Sequence, residues 1–83
     1  MEYLYTARFL RSLKNLESSV QDDVFDAVSR FEKGETETLK LHKLHGKFSN
    51  RHAFSANFAI RIIVKIEKSA TYYMDVGSHE VYR

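Results

Sequence analysis

Glu2 to Tyr5 alternates Glu, Tyr, Leu, Tyr, an aromatic-rich run that predicts a short first strand. Thr6 can cap a helix in which Phe9, Leu10, Leu13 and Leu16 recur at helical spacing while Arg8, Arg11 and Lys14 point away. That helix is expected to end near Asn15. Ser18 or Ser19 offers the next N-cap, and Val20, Val24, Phe25, Val28 and Phe31 form one apolar stripe that Lys33 and Gly34 close. Two helices joined by so few residues predict an antiparallel hairpin that must cover something apolar.

Beyond the polar stretch Glu35 to Thr38, the leucines Leu39, Leu41 and Leu44 lead to Gly46, and strand formers then dominate. Strands are expected at about 48–54, 59–66 and 71–76, separated by two hairpin-length turns. Along the middle one, Ile60, Ile62, Val64 and Ile66 should pack on the helices, and Ala59, Arg61, Ile63 and Lys65 should face outward. The fold class this predicts is α+β: a small antiparallel sheet packed against an N-terminal helical hairpin, in the order β-α-α-β-β-β, as one domain over residues 1–83.

Length and composition narrow the chemistry. The absence of Cys excludes thiolate metal sites, cysteine nucleophiles and redox motifs. The longest apolar run is far below the length of a membrane helix, and the start of the chain lacks the pattern of a secretory signal, so a soluble, cytoplasmic protein without membrane partners is expected. Charge is split unevenly. Residues 1–38 hold five basic against eight acidic side chains; residues 39–83 hold eight basic against three acidic, together with all four histidines. A cationic surface for a polyanion is the expected consequence.

Hairpin arithmetic brings candidate residues together. A turn about Ala56 and Asn57 would set Arg61 opposite His52 and place Phe54 outward near Ala59, where it could stack on a base. A second turn between Lys68 and Ser69 sets Arg61 opposite Val76, give or take one residue, brings Asp75 near Arg61, and leaves His79 just past the strand end. A bend at Gly77 could swing His79 towards Arg61, with Tyr82 three residues on. Histidines can exchange a proton near neutrality, and arginine presents a fork that matches phosphate oxygens. This set suits phosphodiester cleavage in RNA, where the neighbouring 2'-hydroxyl is the nucleophile and no cofactor or metal is called for. His42 and His45 could seat zinc with His79, but no carboxylate or Cys nearby completes such a site. Lys40, Lys43, Lys47, Arg51 and Lys65 are the expected nucleic-acid contacts.

Three stretches carry a family resemblance: Leu41-His42-Lys43-Leu44-His45-Gly46, the run from Phe54 to Ile63 centred on Arg61, and Met74-Asp75-Val76-Gly77-Ser78-His79-Glu80-Val81-Tyr82. In this order they resemble the RelE/ParE superfamily of bacterial toxin–antitoxin toxins. The resemblance implies a metal-independent endoribonuclease, an mRNA interferase that cleaves messenger RNA on the ribosome and is neutralised by a cognate antitoxin protein. Carried over by position, Arg61 would stabilise the phosphate in the transition state, His79 would be the leading acid or base, and Tyr82 would stack on a base or orient the substrate. His42 resembles a YafQ-like histidine, and His52 stands where RelE has a catalytic lysine. A second RelE lysine falls at Phe54 here, which keeps open a ParE-like alternative: a toxin that inhibits DNA gyrase by binding and cleaves nothing.

Overall fold

The computed structural model describes residues 1–46 and 50–78. The first strand is β1 (Glu2–Tyr5), followed by helices α1 (Ala7–Lys14) and α2 (Ser18–Glu32), and then by β2 (His42–Lys43), β3 (Arg51–Ser55), β4 (Arg61–Ile66) and β5 (Ala70–Gly77). Among the described residues no helix is long and apolar enough to cross a membrane.

The helix boundaries have local causes. The Thr6 hydroxyl accepts from the Phe9 N–H at 3.2 Å and donates to the Tyr73 carbonyl at 2.7 Å, so one side chain caps α1 and docks its start on β5. The N-cap of α2 is Glu17, without a side-chain cap bond, in place of the expected serines. At its other end, Gly34 at φ 87° lets the Glu35 and Gly34 N–H groups turn back to the carbonyls of Arg30 and Phe31, the paired bonds of a Schellman motif.

The five strands form one sheet in the order β1-β5-β4-β3-β2. Its fold class is the α+β arrangement expected, but the sheet is mixed: β1 lies parallel to β5, while the other pairs are antiparallel. The parallel pair is possible because β1 and β5 are distant in the chain: both helices and three strands lie between them, ample length for a crossover. The two-residue β2 was not anticipated, and positions 48 and 49 of the expected second strand lie outside the described residues.

One face of the sheet carries the core. Phe54, Ile62, Val64, Tyr73 and Val76 pack against Phe9, Leu13, Val24, Ala27 and Val28 of the helices, with Ile60 and Ile66 at the margin as the alternation predicted. Tyr73 and Val76 share this face despite odd spacing, because the register shifts by one residue at Met74, a β-bulge that reverses the phase of the strand. Phe54 is fully buried and stacks on Phe31, with ring centroids 4.6 Å apart and planes 10° apart. Such a pair adds about 0.5–1.5 kcal/mol beyond burial alone. The Tyr73 hydroxyl, also buried, donates to Glu32 at 2.6 Å; burial first, then this carboxylate, drives its pKa far upward, so it stays protonated.

Candidate active site

The turn between β3 and β4 decides which residues share a face. The Ala56 N–H donates to the Ile60 carbonyl at 2.9 Å, enclosing a three-residue loop of Asn57, Phe58 and Ala59. The Asn57 carboxamide oxygen fixes that loop by accepting from the N–H groups of Ala59 at 2.8 Å and Ile60 at 2.9 Å. The loop is therefore centred later than a turn about Ala56 and Asn57 would be. Arg61 stands opposite Ser55, not His52, and His52 stands opposite Val64. The displacement is an odd number of residues, so it also changes faces.

Two expectations are corrected on this ground. His52 lies on the side of the sheet away from Arg61, paired with Lys43 of β2, and does not converge with it. Its Nδ1 is buried without a hydrogen-bond partner among the described residues, and burial, then the neighbouring Lys43 and His42, lower its pKa. Phe54 points into the core and offers no ring to a base. The exposed aromatic is Phe58 at the loop tip, at 95% relative exposure. Its signal in the sequence is an aromatic directly after Asn57, in a loop whose other members are small or polar.

On the second hairpin the expected pairing holds from Ile66↔Thr71 to Val64↔Tyr73, and the bulge then moves Arg61 opposite Gly77, within the one-residue margin. Asp75 faces Ile63, and its carboxylate accepts from Arg8 Nε at 3.0 Å and from the Ser12 hydroxyl at 2.6 Å. It holds α1 to the sheet and does not neutralise Arg61. Among the described residues Arg61 has no carboxylate partner; its Nη1 donates to the carbonyls of Asn57, Phe58 and Ile60 at 3.2, 3.3 and 3.4 Å.

The face of the sheet away from the helices gathers a cationic set. His42 pairs with Ala53, and Ala53 with Ile63, so His42 projects from the same face as Arg61, Ser55, Arg51 and Lys65. Standard strand spacings put the Cα atoms of His42 and Arg61 roughly 12 Å apart, two strands across and two residues along. Nδ1 of His42 lies 2.9 Å from the Lys40 carbonyl oxygen, which can only accept. The neutral ring therefore carries its proton on Nδ1 and keeps the lone pair on Nε2, the form a general base needs. Lys65 Nζ sits 5.1 Å from the centre of the Tyr72 ring and 4.0 Å from Glu67. Lys43 shares the His52 side instead.

Lys40 adopts the left-handed conformation, φ 58°, and lines a cavity of about 310 Å³ together with Arg61, Arg30, Ser55 and Phe58. His79, Tyr82 and Lys47 lie outside the described residues. Among the described residues no cluster of three His, Asp or Glu side chains is arranged to hold a metal ion.

No family model matches the sequence, and no curated protein matches it. Solved structures do match the fold. YafQ from E. coli superposes with a TM-score of 0.83 at 10% sequence identity, over 98% of this chain and 96% of that one. A YoeB/ParE toxin from Agrobacterium tumefaciens gives 0.79 at 12% identity, over 95% and 99% of the two chains. A chain of the E. coli DinJ–YafQ complex gives 0.77 at 11% identity, over 96% and 94%. The β-α-α-β-β-β-β chain, with its helical hairpin on one face of a mixed sheet and Arg61 on the other, thus carries the fold of the RelE/YafQ/YoeB-type toxins.

Proposed function

We propose that this protein is the toxin of a type II toxin–antitoxin system and cleaves messenger RNA on the ribosome. The observation that supports this reading best is the presentation of His42 and Arg61 on one sheet face, with no carboxylate among the described residues to quench the guanidinium. The fold likeness to YafQ and YoeB points the same way.

In the proposed reaction the 2'-hydroxyl of one nucleotide attacks the adjacent phosphorus. Its proton passes to a general base, for which His42 Nε2 is available, and the P–O5' bond breaks as the new P–O2' bond forms. The leaving 5'-oxygen takes a proton from a general acid, the role carried over to His79. Products are a 2',3'-cyclic phosphate and a 5'-hydroxyl. The Arg61 fork compensates charge on the non-bridging phosphate oxygens, and Arg51 and Lys65 hold flanking phosphates on the same face. A cognate antitoxin, in keeping with the DinJ–YafQ toxin–antitoxin complex among the fold neighbours, would neutralise the chain by covering this surface.

The test is controlled expression of the intact chain in bacterial cells, with mapping of message 5' ends. Arrested translation with newly broken messages carrying 5'-hydroxyl ends is expected, and Arg61→Ala removes both. Intact messages accompanied by DNA breakage would overturn the nuclease reading in favour of a gyrase-directed toxin.

A further inference from the structure

The loop Asn57–Phe58–Ala59 is pinned from several sides yet holds a bare aromatic ring. Asn57 fixes the turn through its carboxamide oxygen, and its Nδ2 ties the loop to Asp23 of α2 at 3.0 Å. Arg61 braces two of the loop carbonyls from below. Nothing in this arrangement uses the Phe58 ring, which at 95% relative exposure contributes no burial to the fold. A solvent-exposed ring on a rigid support is how proteins present a stacking platform to a base.

The cavity beside the ring supplies the complementary charge. Arg61 spends only Nη1 on the loop carbonyls, so its Nε and Nη2 donors make no hydrogen bond among the described residues. Lys40 is exposed and makes no ion pair among them, whereas Arg30 on the same cavity is engaged by Asp26, Glu35 and Thr38. Apart from Leu39 and Ala56 the residues lining the cavity next to Phe58 are polar or charged, so a ligand seated there meets hydrogen-bonding and cationic groups beside the ring. A π-face next to two available cations fits a nucleotide: base on the ring, phosphate on the cations.

We propose that Phe58, Arg61 and Lys40 form a nucleotide subsite for single-stranded RNA, in which a base stacks on Phe58, Arg61 holds the phosphate of that nucleotide, and Lys40 takes the next one. The subsite rests on the reading of the substrate as RNA and specifies where the strand lies: across the β3–β4 loop, along the margin of the Arg61 face.

The chain contains no Trp, so Phe58→Trp introduces a single tryptophan at the platform itself, excited selectively over the tyrosines at the red edge of the indole band. Titration of this variant with a single-stranded octaribonucleotide should quench the indole saturably, with a midpoint that rises with salt. Adding Lys40→Ala and Arg61→Ala should weaken the midpoint at least about tenfold, and Phe58→Ala in the unlabelled protein should weaken binding of a dye-labelled copy of the same RNA by about tenfold. Emission that RNA leaves unmoved overturns the subsite, as does quenching by poly-glutamate in preference to RNA, which would make the loop a contact for an acidic polypeptide. The two readings fail separately. Message cleavage that survives without quenching removes the subsite alone; quenching by RNA in a chain that breaks no messages removes the nuclease alone.

Discussion

The hydroxyl of Tyr73 in the middle of β5 donates a 2.6 Å hydrogen bond to Glu32 at the last position of α2, joining the fully buried centre of the sheet to the end of the helical hairpin. Tyr73 also stacks on Tyr5 at a centroid distance of 4.9 Å, so the same ring seats the parallel edge strand. Removing the hydroxyl leaves an exposed carboxylate that water can solvate. Tyr73→Phe should therefore cost only about 1–2 kcal/mol, read as a lower urea midpoint at unchanged slope.

Phe54 and Phe58, four residues apart, should behave as opposites. Phe54→Ala empties a closed site against Phe31 and should destabilise the protein by about 3–5 kcal/mol. Phe58→Ala should move stability by no more than about 0.5 kcal/mol. Comparable unfolding midpoints for the two variants would contradict the register described for β3 and β4.

Thr6 serves α1 and β5 together, accepting from Phe9 and donating to Tyr73. Thr6→Ala should cost about 1–2 kcal/mol, and Thr6→Ser, which keeps the oxygen, should recover most of it. A Ser variant as unstable as the Ala variant would assign the effect to the lost methyl group.

His52 gives a pH dependence of defined sign. Its folded-state pKa lies below the ordinary value near 6.5, because burial and the adjacent Lys43 and His42 disfavour the cation. The unfolded chain thus binds a proton first as the pH falls. The stability contributed by neutral His52 is present above about pH 6.5 and is lost as the pH drops through the lowered folded-state pKa. Urea midpoints of the parent chain should fall across this acidic window more steeply than those of His52→Phe; parallel curves would exclude the effect.

Arg61 is expected to act through its planar fork as well as its charge. Arg61→Lys keeps the cation but loses paired donation to phosphate, so message cleavage should drop by about 100-fold, with far-ultraviolet circular dichroism unchanged. His42→Gln should lower cleavage while leaving binding of the octaribonucleotide near the parent value, since a base acts in the chemical step and not in holding the strand.

The sequence alone determined what depends on near neighbours. The strand at Glu2–Tyr5, the Thr6 cap, the close of α2 at Gly34 and the inward set Ile60, Ile62, Val64 and Ile66 all follow from spacings within a few residues, and periodicity reports those directly. Arg61 was legible as outward for the same reason. Tertiary structure decided the partners. Where the first hairpin turned depended on the Asn57 carboxamide closing a three-residue loop and on Phe54 finding Phe31 in a helix far away in the chain, and this odd displacement sent His52 and Phe54 to the helix side. The bulge at Met74 likewise gave Asp75 to Arg8 and Ser12, leaving Arg61 clear of it. Register in a sheet is chosen by contacts distant in sequence, and one extra residue in a turn or strand reverses every side chain beyond it.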